Sequence, residues 1–247
     1  MIEVYPDLES LSRAAAALLV KQANLAVAAR GRFSVALSGG ATPRRTYELL
    51  AAPPLTDQAP WDRVHVFWGD ERCVPGNDSR SNARLAKEAW LDHVPIPGNQ
   101  IHPMNCAADP AAAARQYEAQ LREFFAGQPP RLDLILLGLG EDGHTASLFP
   151  GTMVLAEAER WTAAVYLAAA DLHRVTLTAP LINQAAVVAF LVAGGAKAGV
   201  LREVLHGPRD PARLPAQLIQ PHRGELRWLA DLAAAGSLAQ DGSSVQA

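Results

Sequence analysis

The chain has 247 residues, 49% of them hydrophobic and 19% charged, which is enough to bury a sizeable core and excludes an intrinsically disordered chain. A formal net charge of −3 lacks the basic excess of phosphate-tracking proteins, so nucleic acid is excluded as the default partner, and any bound anion must be met by a local cluster of donors. The longest apolar runs are far shorter than a membrane span, which excludes a helical membrane protein.

The opening residues, MIEVYPDLES, carry neither a basic n-region nor an apolar h-region, so no leader is read and a soluble, cytoplasmic protein is expected. The first long helical pattern is LESLSRAAAALLVKQANLAVAAR, with Gly31 as its C-cap. A strand follows at Phe33–Ser38, leading into SGGATP. A second strand, Val64–Gly69, leads into GDERCVP. Ser81 or Asn82 is an N-cap candidate for SNARLAKEAWL, and Asp109 caps DPAAAARQYEAQLREFF with Pro110 at its first position. Cys73 and Cys106 stand apart, without a CxxC pattern or ligand-spaced histidines, and read as separate buried or half-buried thiols.

The apolar run Leu132–Gly138 predicts a buried strand that ends in GLGEDGHTASLFPG. Further strands are predicted at Ala163–Leu167, Arg174–Thr178 and Val187–Ala193, the last followed by GGAKAG. No internal repeat is evident, and the small, polar tail Gly236–Ala247 is predicted to fray. Strands alternating with helices predict βαβ units: one α/β domain over residues 1–235, with a mostly parallel open sheet flanked by helices. Ligands in such sheets sit beyond the carboxyl ends of the strands, where four of these loops are rich in glycine or charge.

SGGATP places Ser38, Gly39 and Gly40 between a strand and a helix, where backbone N–H groups and a helix N-terminus suit an anion; Ser38 and Thr42 add hydroxyls. The alternatives are a plain tight turn or, since ALSGG approaches G-x-S-x-G, the nucleophile elbow of a serine hydrolase. GLGEDG satisfies G-x-G-x-x-G literally, but Pro150-Gly151 follows too soon for the required helix, so nicotinamide binding is rejected. What remains is a glycine-rich loop presenting Glu141, Asp142 and His144, with carboxylates close enough to set the imidazole's tautomer. His65, His93, His102, His173, His206 and His222 lack such company and read as surface or core residues. Asp70, Glu71 and Arg72 end the second predicted strand, with Arg80 nearby. They form either an ion-paired loop or a site in which Arg72 meets a developing oxyanion. Lys197, just past a strand, is either solvated or a phosphate donor.

Together, SGGATP, WGDERCVP, LGLGEDGHTASLFPG, RVTLTAPLINQA, FLVAGGAKAGVL and LPAQLIQPHRGELRWLADLAAA resemble the 6-phosphogluconolactonase family, within the glucosamine-6-phosphate deaminase fold group, in the family's order from about Ile2 to about Ala235. The resemblance implies a modified Rossmann-like fold. It also implies hydrolysis of 6-phospho-D-glucono-1,5-lactone to 6-phospho-D-gluconate in the oxidative pentose phosphate pathway, with no metal or organic cofactor. It makes His144 the general base that activates water, Asp142 its orienting partner and Arg72 the group facing the lactone carbonyl. Ser38, Gly39, Gly40, Thr42, Asp70, Arg174 and Lys197 would bind substrate and its phosphate. Asn183 matches a family position without an assigned role, and Ala41 departs from the hydroxyl residue common there. A small phosphorylated lactone is the implied partner, with no nucleic acid, no membrane, and a monomer or weak homo-oligomer.

Two alternatives accompany this expectation. The related aldose–ketose deaminases share the phosphate loop, the DGH histidine and the aspartate at Asp70, but carry a glutamate after the histidine where TASLFP offers Ser147, Leu148 and Phe149. A regulator that binds sugar phosphate without turnover is the second.

Overall fold

Asp7 and Gly31 bound the first helix as their chemistry requires. In the computed structural model, which describes residues 1–238, the Asp7 carboxylate accepts the Ser10 N–H at 2.7 Å and opens α1 (Leu8–Arg30). Gly31 closes it at φ 75°, a left-handed value that costs glycine no Cβ clash. The stripe Leu11, Ala15, Leu19, Ala23 and Ala26 recurs at helical spacing and is buried. Ser81 and Asp109 likewise cap α3 (Asn82–Ala89) and α4 (Pro110–Phe125). The remaining α-helices are α2 (Ala41–Leu50), α5 (Ala179–Ile182), α6 (Ala198–His206) and α7 (Leu232–Ala235).

Six strands form one parallel sheet: β1 (Ile2–Tyr5), β2 (Phe33–Leu37), β3 (Val64–Trp68), β5 (Leu134–Gly138), β8 (Val187–Val192) and β9 (Glu225–Asp231), in the order β1-β9-β8-β5-β2-β3. β2 and β8 are buried along their whole length, as continuous apolar strands covered on both faces should be. The sheet is therefore the α/β architecture expected, with one correction. The strands predicted at 163–167 and 174–178 leave it, forming β6 (Thr162–Leu167) and β7 (Leu172–Leu177) of a separate antiparallel sheet, β4-β7-β6, with β4 at Asp70–Arg72. Only residues 168–171 join β6 to β7, too few for a parallel crossover, so the two close as a hairpin. β1, β4 and β9 were not predicted; β4 is three charged residues and carries no apolar pattern.

Gly69 is where the chain changes sheet. Its N–H still donates to the Leu37 carbonyl of the main sheet at 2.8 Å, while its carbonyl accepts the Leu177 N–H of the second sheet at 2.7 Å. Beyond it, a second expectation is overturned: Cys73 and Cys106 are not separate thiols but a disulfide. The departure of β4 from the main sheet brings residue 73 against the coil that precedes α4, with Cα atoms 4.8 Å apart. Closing this loop, a sequence separation of 33, contributes about 3–4 kcal/mol in the chain-entropy account. At the other end, residues 239–247 of the tail lie outside the described residues. Gly236–Leu238 follow α7 as a turn, with Leu238 buried. No helix among the described residues is long and apolar enough to cross a membrane.

Of the histidines read as surface or core, His65 and His102 form a pair stacked 5.6 Å apart, against Phe67 and Phe124. Gln120 Nε2 donates to His102 Nδ1 at 3.0 Å, which leaves His102 Nε2–H to donate to His65 Nδ1 at 3.3 Å. Burial, and then the neighbouring His65, push His102 down to about 4; burial followed by Arg32 lowers His65. Both folded values lie below the ordinary 6.5, so the pair's contribution to stability is complete above that pH and is lost as pH falls towards about 4. Replacing His102 by Gln should therefore flatten the decline of Tm between pH 6.5 and about 4, measured by scanning calorimetry. A decline as steep as that of the unaltered protein would remove this pair as its source.

Candidate active site

The carboxyl edge of the main sheet opens into a cavity of about 340 Å³ between the ends of β2 and β5. From β2 the chain runs through α2 to β3 on one side, whereas β5 lies on the other, so this is the crevice where strand order reverses. Nine of the ten predicted site residues line it. Ser38, Gly39, Gly40 and Thr42 come from the turn after β2, and Asp70 and Arg72 from β4. His144 follows β5, Arg174 lies on β7, and Lys197 follows β8. Asp142 stands behind His144 rather than in the wall. A larger cavity, about 870 Å³, lies between α3 and residues 98–108. Its charges there are largely paired off, Arg84 with Glu88 and Lys87 with Asp92, and no histidine lines it.

The histidine loop is built around close approaches to the ring and between its turns. Asp142 Oδ1 accepts the His144 backbone N–H at 3.1 Å and faces the ring Nδ1 at 2.5 Å. With a carboxylate at Nδ1, the neutral imidazole keeps its proton there and leaves the Nε2 lone pair free. Burial alone would raise the Asp142 carboxyl; the hydrogen bonds from the His144 ring and N–H outweigh it and hold the group below its ordinary range. The ring stacks on Phe149 at 3.9 Å and is 28% exposed, so it is held yet reachable. Gly140 and Gly143 are glycines for steric reasons. A Cβ at 140 would lie 2.0 Å from His144 Nδ1, and Gly143, at φ 80°, presses against Leu214.

Arg72 and Arg174 are directly opposed in the β4–β7 ladder, so two guanidinium groups share one face. Arg72 Nη1 donates to the Arg80 carbonyl at 2.6 Å, which gives Arg80 a supporting place through its backbone; its own side chain pairs with Asp78. Burial lowers Arg174, the Asp70 carboxylate 3.5 Å away opposes this, and Arg72 adds to the fall. Both keep a buried Nε–H without a partner. Lys197 Nζ pairs with the exposed Glu141, at 3.6 Å. This edge of the cavity is cationic although the chain is acidic overall.

The turn after β2 completes the wall. Gly40 adopts φ 105° and opens α2, whose first residues, Ala41, Thr42 and Pro43, line the cavity. Ser38 Oγ is buried with no hydrogen-bond partner, and the residue's carbonyl accepts the Tyr47 hydroxyl at 2.7 Å. No base contacts this hydroxyl, which speaks against the nucleophile-elbow alternative.

Four further side chains escaped the sequence reading. Glu71, 3% exposed, accepts the backbone N–H groups of Arg72, Asn82 and Ala83 at 2.7–2.8 Å and the Ser81 hydroxyl at 3.0 Å, pinning β4 to the start of α3. Burial raises its pKa and these bonds resist the rise. Ser147 Oγ donates to Asp70 Oδ2 at 2.6 Å and ties the histidine loop to β4. Asp231 accepts the N–H groups of Gly194 and Ala234, holding the turn that carries Lys197. Phe149 supplies the histidine's stacking partner. Asn183 serves the scaffold: it bonds the Leu218 carbonyl and the Gln220 N–H. The sequence reading set Glu71 with Asp70 and Arg72 in an ion-paired loop or a site, and neither alternative identifies its bonds to the start of α3.

A doubly wound α/β sheet with a cationic pocket and a carboxylate-held histidine at its switch point defines the class, an α/β protein built to receive a small anionic molecule. The sequence model described as glucosamine-6-phosphate isomerases/6-phosphogluconolactonase matches residues 6–228, and the chain belongs to this family. The 6-phosphogluconolactonase of Synechocystis sp. is 50% identical over 218 residues, covering 86% of this chain and 88% of that protein. The Nostoc sp. 6-phosphogluconolactonase is 43% identical over 242 residues, covering 96% and 98%. Among solved structures, 6-phosphogluconolactonase from Trypanosoma brucei superposes with a TM-score of 0.84 at 29% identity, covering 96% of this chain and 98% of its own. A monomeric glucosamine-6-phosphate deaminase shares the fold, with a TM-score of 0.80 at 22% identity.

Because a Cβ at residue 140 would collide with His144 Nδ1 and lie 2.5 Å from Asp142 Oδ1, Gly140→Ala should break the single-tautomer state of His144. Ring ¹⁵N shifts should change from an Nδ1-protonated pattern to mixed tautomers while the circular dichroism stays native. An unchanged ring spectrum would show that the pair does not depend on this approach.

Proposed function

We propose that the chain hydrolyses 6-phospho-D-glucono-1,5-lactone to 6-phospho-D-gluconate. The observation that carries this reading is one cavity lined by both an Asp-oriented imidazole and a cationic wall that adjoins the N-terminus of α2, a combination suited to a phosphate. The Synechocystis and Nostoc relatives, both 6-phosphogluconolactonases, support it.

In this mechanism Nε2 of His144 takes a proton from water as its oxygen attacks the lactone carbonyl. Arg72 meets the oxyanion that forms, a contribution of about 2.7–4 kcal/mol for one well-aimed donor. Collapse of the tetrahedral intermediate breaks the bond to the ring oxygen, which leaves as the 5-hydroxyl after receiving the proton held by His144. A δ-lactone is an activated ester, so a positioned base, worth ~10²–10⁴-fold, suffices without a covalent intermediate. Asp142 keeps the imidazole in the tautomer that can accept this proton. Lys197, Arg174, Thr42 and the turn 38–40 hold the phosphate, whose binding energy fixes the ring for attack.

Two features favour hydrolysis over deamination. Asp70, 5% exposed, is engaged by Ser147, Asn82 and Arg174 and has little freedom to shuttle a proton. Phe149 stacks on the histidine within the segment where a deaminase carries its assisting glutamate.

The test is to generate the lactone with glucose-6-phosphate dehydrogenase and follow its disappearance with and without the protein at neutral pH. His144→Ala should lower kcat by ~10²-fold or more with little change in KM. Near-normal turnover would remove it as the base, and tight sugar-phosphate binding with no turnover by the unaltered protein would favour a non-catalytic binder. Lys197→Ala should mainly raise KM; an unchanged KM would strike it from the phosphate site. Ser38→Ala should stay active with no trapped acyl-enzyme, whereas a serine adduct would restore the hydrolase-elbow alternative.

A further inference from the structure

Asn82 is the first residue of α3, is 1% exposed, and does not line the cavity. Its side chain nevertheless touches two segments that do. Nδ2 donates to the Asp70 carbonyl at 2.9 Å and to Asp70 Oδ1 at 3.2 Å. Both partners are acceptors, which fixes the orientation of the amide, since the reverse would set its oxygen against two others. Oδ1 is thereby turned toward Gly39, where it is buried with no hydrogen-bond partner. A Cβ added to Gly39 would lie 1.6 Å from it.

Two consequences follow from this geometry. Gly39 is glycine because Asn82 occupies the space of a side chain, not because its backbone is left-handed. Asn82 also cannot simply swing away: its amide is bonded to Asp70, and its own N–H is held by Glu71 Oε1 at 2.7 Å. An unpaired buried carbonyl is costly, and a small apolar residue would avoid that cost. Such a residue would also leave the Asp70 acceptors without this donor, so Asn82 joins the bonding of Asp70 to the filling of the space beside Gly39.

We propose that Asn82 is a positioning residue for the reaction put forward above. It is a spacer that sets the separation between the Ser38–Gly40 turn and the Asp70–Arg72 strand. In doing so it fixes the distance from the phosphate-holding end of the cavity to the end that faces the carbonyl. It acts through Gly39 and Asp70 and makes no contact with substrate.

The inference rests on the lactonase reading, but its test does not depend on turnover. The Kd for inorganic phosphate, Tm, and kcat and KM for the lactone are measured for the unaltered protein, Gly39→Ala, Asn82→Ala, the double variant and Asn82→Asp. Gly39→Ala alone should lower Tm and weaken phosphate binding about tenfold, and in the Asn82→Ala background most of both losses should disappear. Asn82→Ala alone should raise KM and the phosphate Kd while its circular dichroism stays native. Asn82→Asp keeps the spacer but replaces the donor with a carboxylate beside Asp70, so kcat should fall with a smaller change in phosphate Kd. Equal Gly39→Ala penalties in both backgrounds would overturn the proposal. So would Asn82 variants altered in Tm alone, the mark of a merely structural residue. If the unaltered protein binds phosphate but turns over no lactone, the lactonase reading fails, and the phosphate cycle still decides the role of Asn82.

Discussion

Asp70 and Glu71 are adjacent carboxylates, both buried, and the cavity has its shape because each finds donors on different elements. Leaving such a group unpaired would cost about 3–5 kcal/mol, so the chain is obliged to bring the donors to it. Glu71 draws the N-terminus of α3 onto β4 through the N–H groups of Asn82 and Ala83 and the Ser81 hydroxyl. Asp70 draws in the histidine loop through Ser147, the second sheet through Arg174 and α3 through Asn82. The strand that carries these acids has no apolar side chain to hold it. Its place depends on this polar network together with the ladder to β7.

The same arrangement explains how an acidic chain maintains a cationic pocket. Arg72 and Arg174 lie side by side on one ladder, and Lys197 reaches the same space from the far side of β5. Asp70 is the acidic residue among those lining the cavity, and besides Arg174 it already accepts from the neutral donors Asn82 and Ser147. Local geometry, not net charge, determines what the cavity attracts.

Much of the scaffold was legible in the sequence. Asp7, Ser81, Asp109 and Gly31 act as the caps their chemistry suggests, and the unbroken apolar runs become fully buried strands. The histidine loop was legible because glycines and charges seldom follow a core strand without a reason. What was not legible depends on contacts distant in sequence. β4 is stabilised by side chains around residue 82 and by residue 174, so its own three residues say nothing of a strand. Cys73 meets Cys106 only because β4 has left the main sheet. The hairpin of β6 and β7 could have been read from its short connection, a signal outweighed by the general alternation of strands and helices.

The edge strand β1 has one neighbour in the sheet, β9, with Ile2 opposite Trp228 and Tyr5 opposite Asp231. Two strands far apart in sequence thus complete each other. Until residues 225–231 emerge, the opening strand has no hydrogen-bonding partner and the adjacent edge of the sheet stays uncovered. Because β1 is synthesised long before β9, the nascent chain exposes an unpaired ladder in the interval, and closing that seam is a contact of high sequence separation.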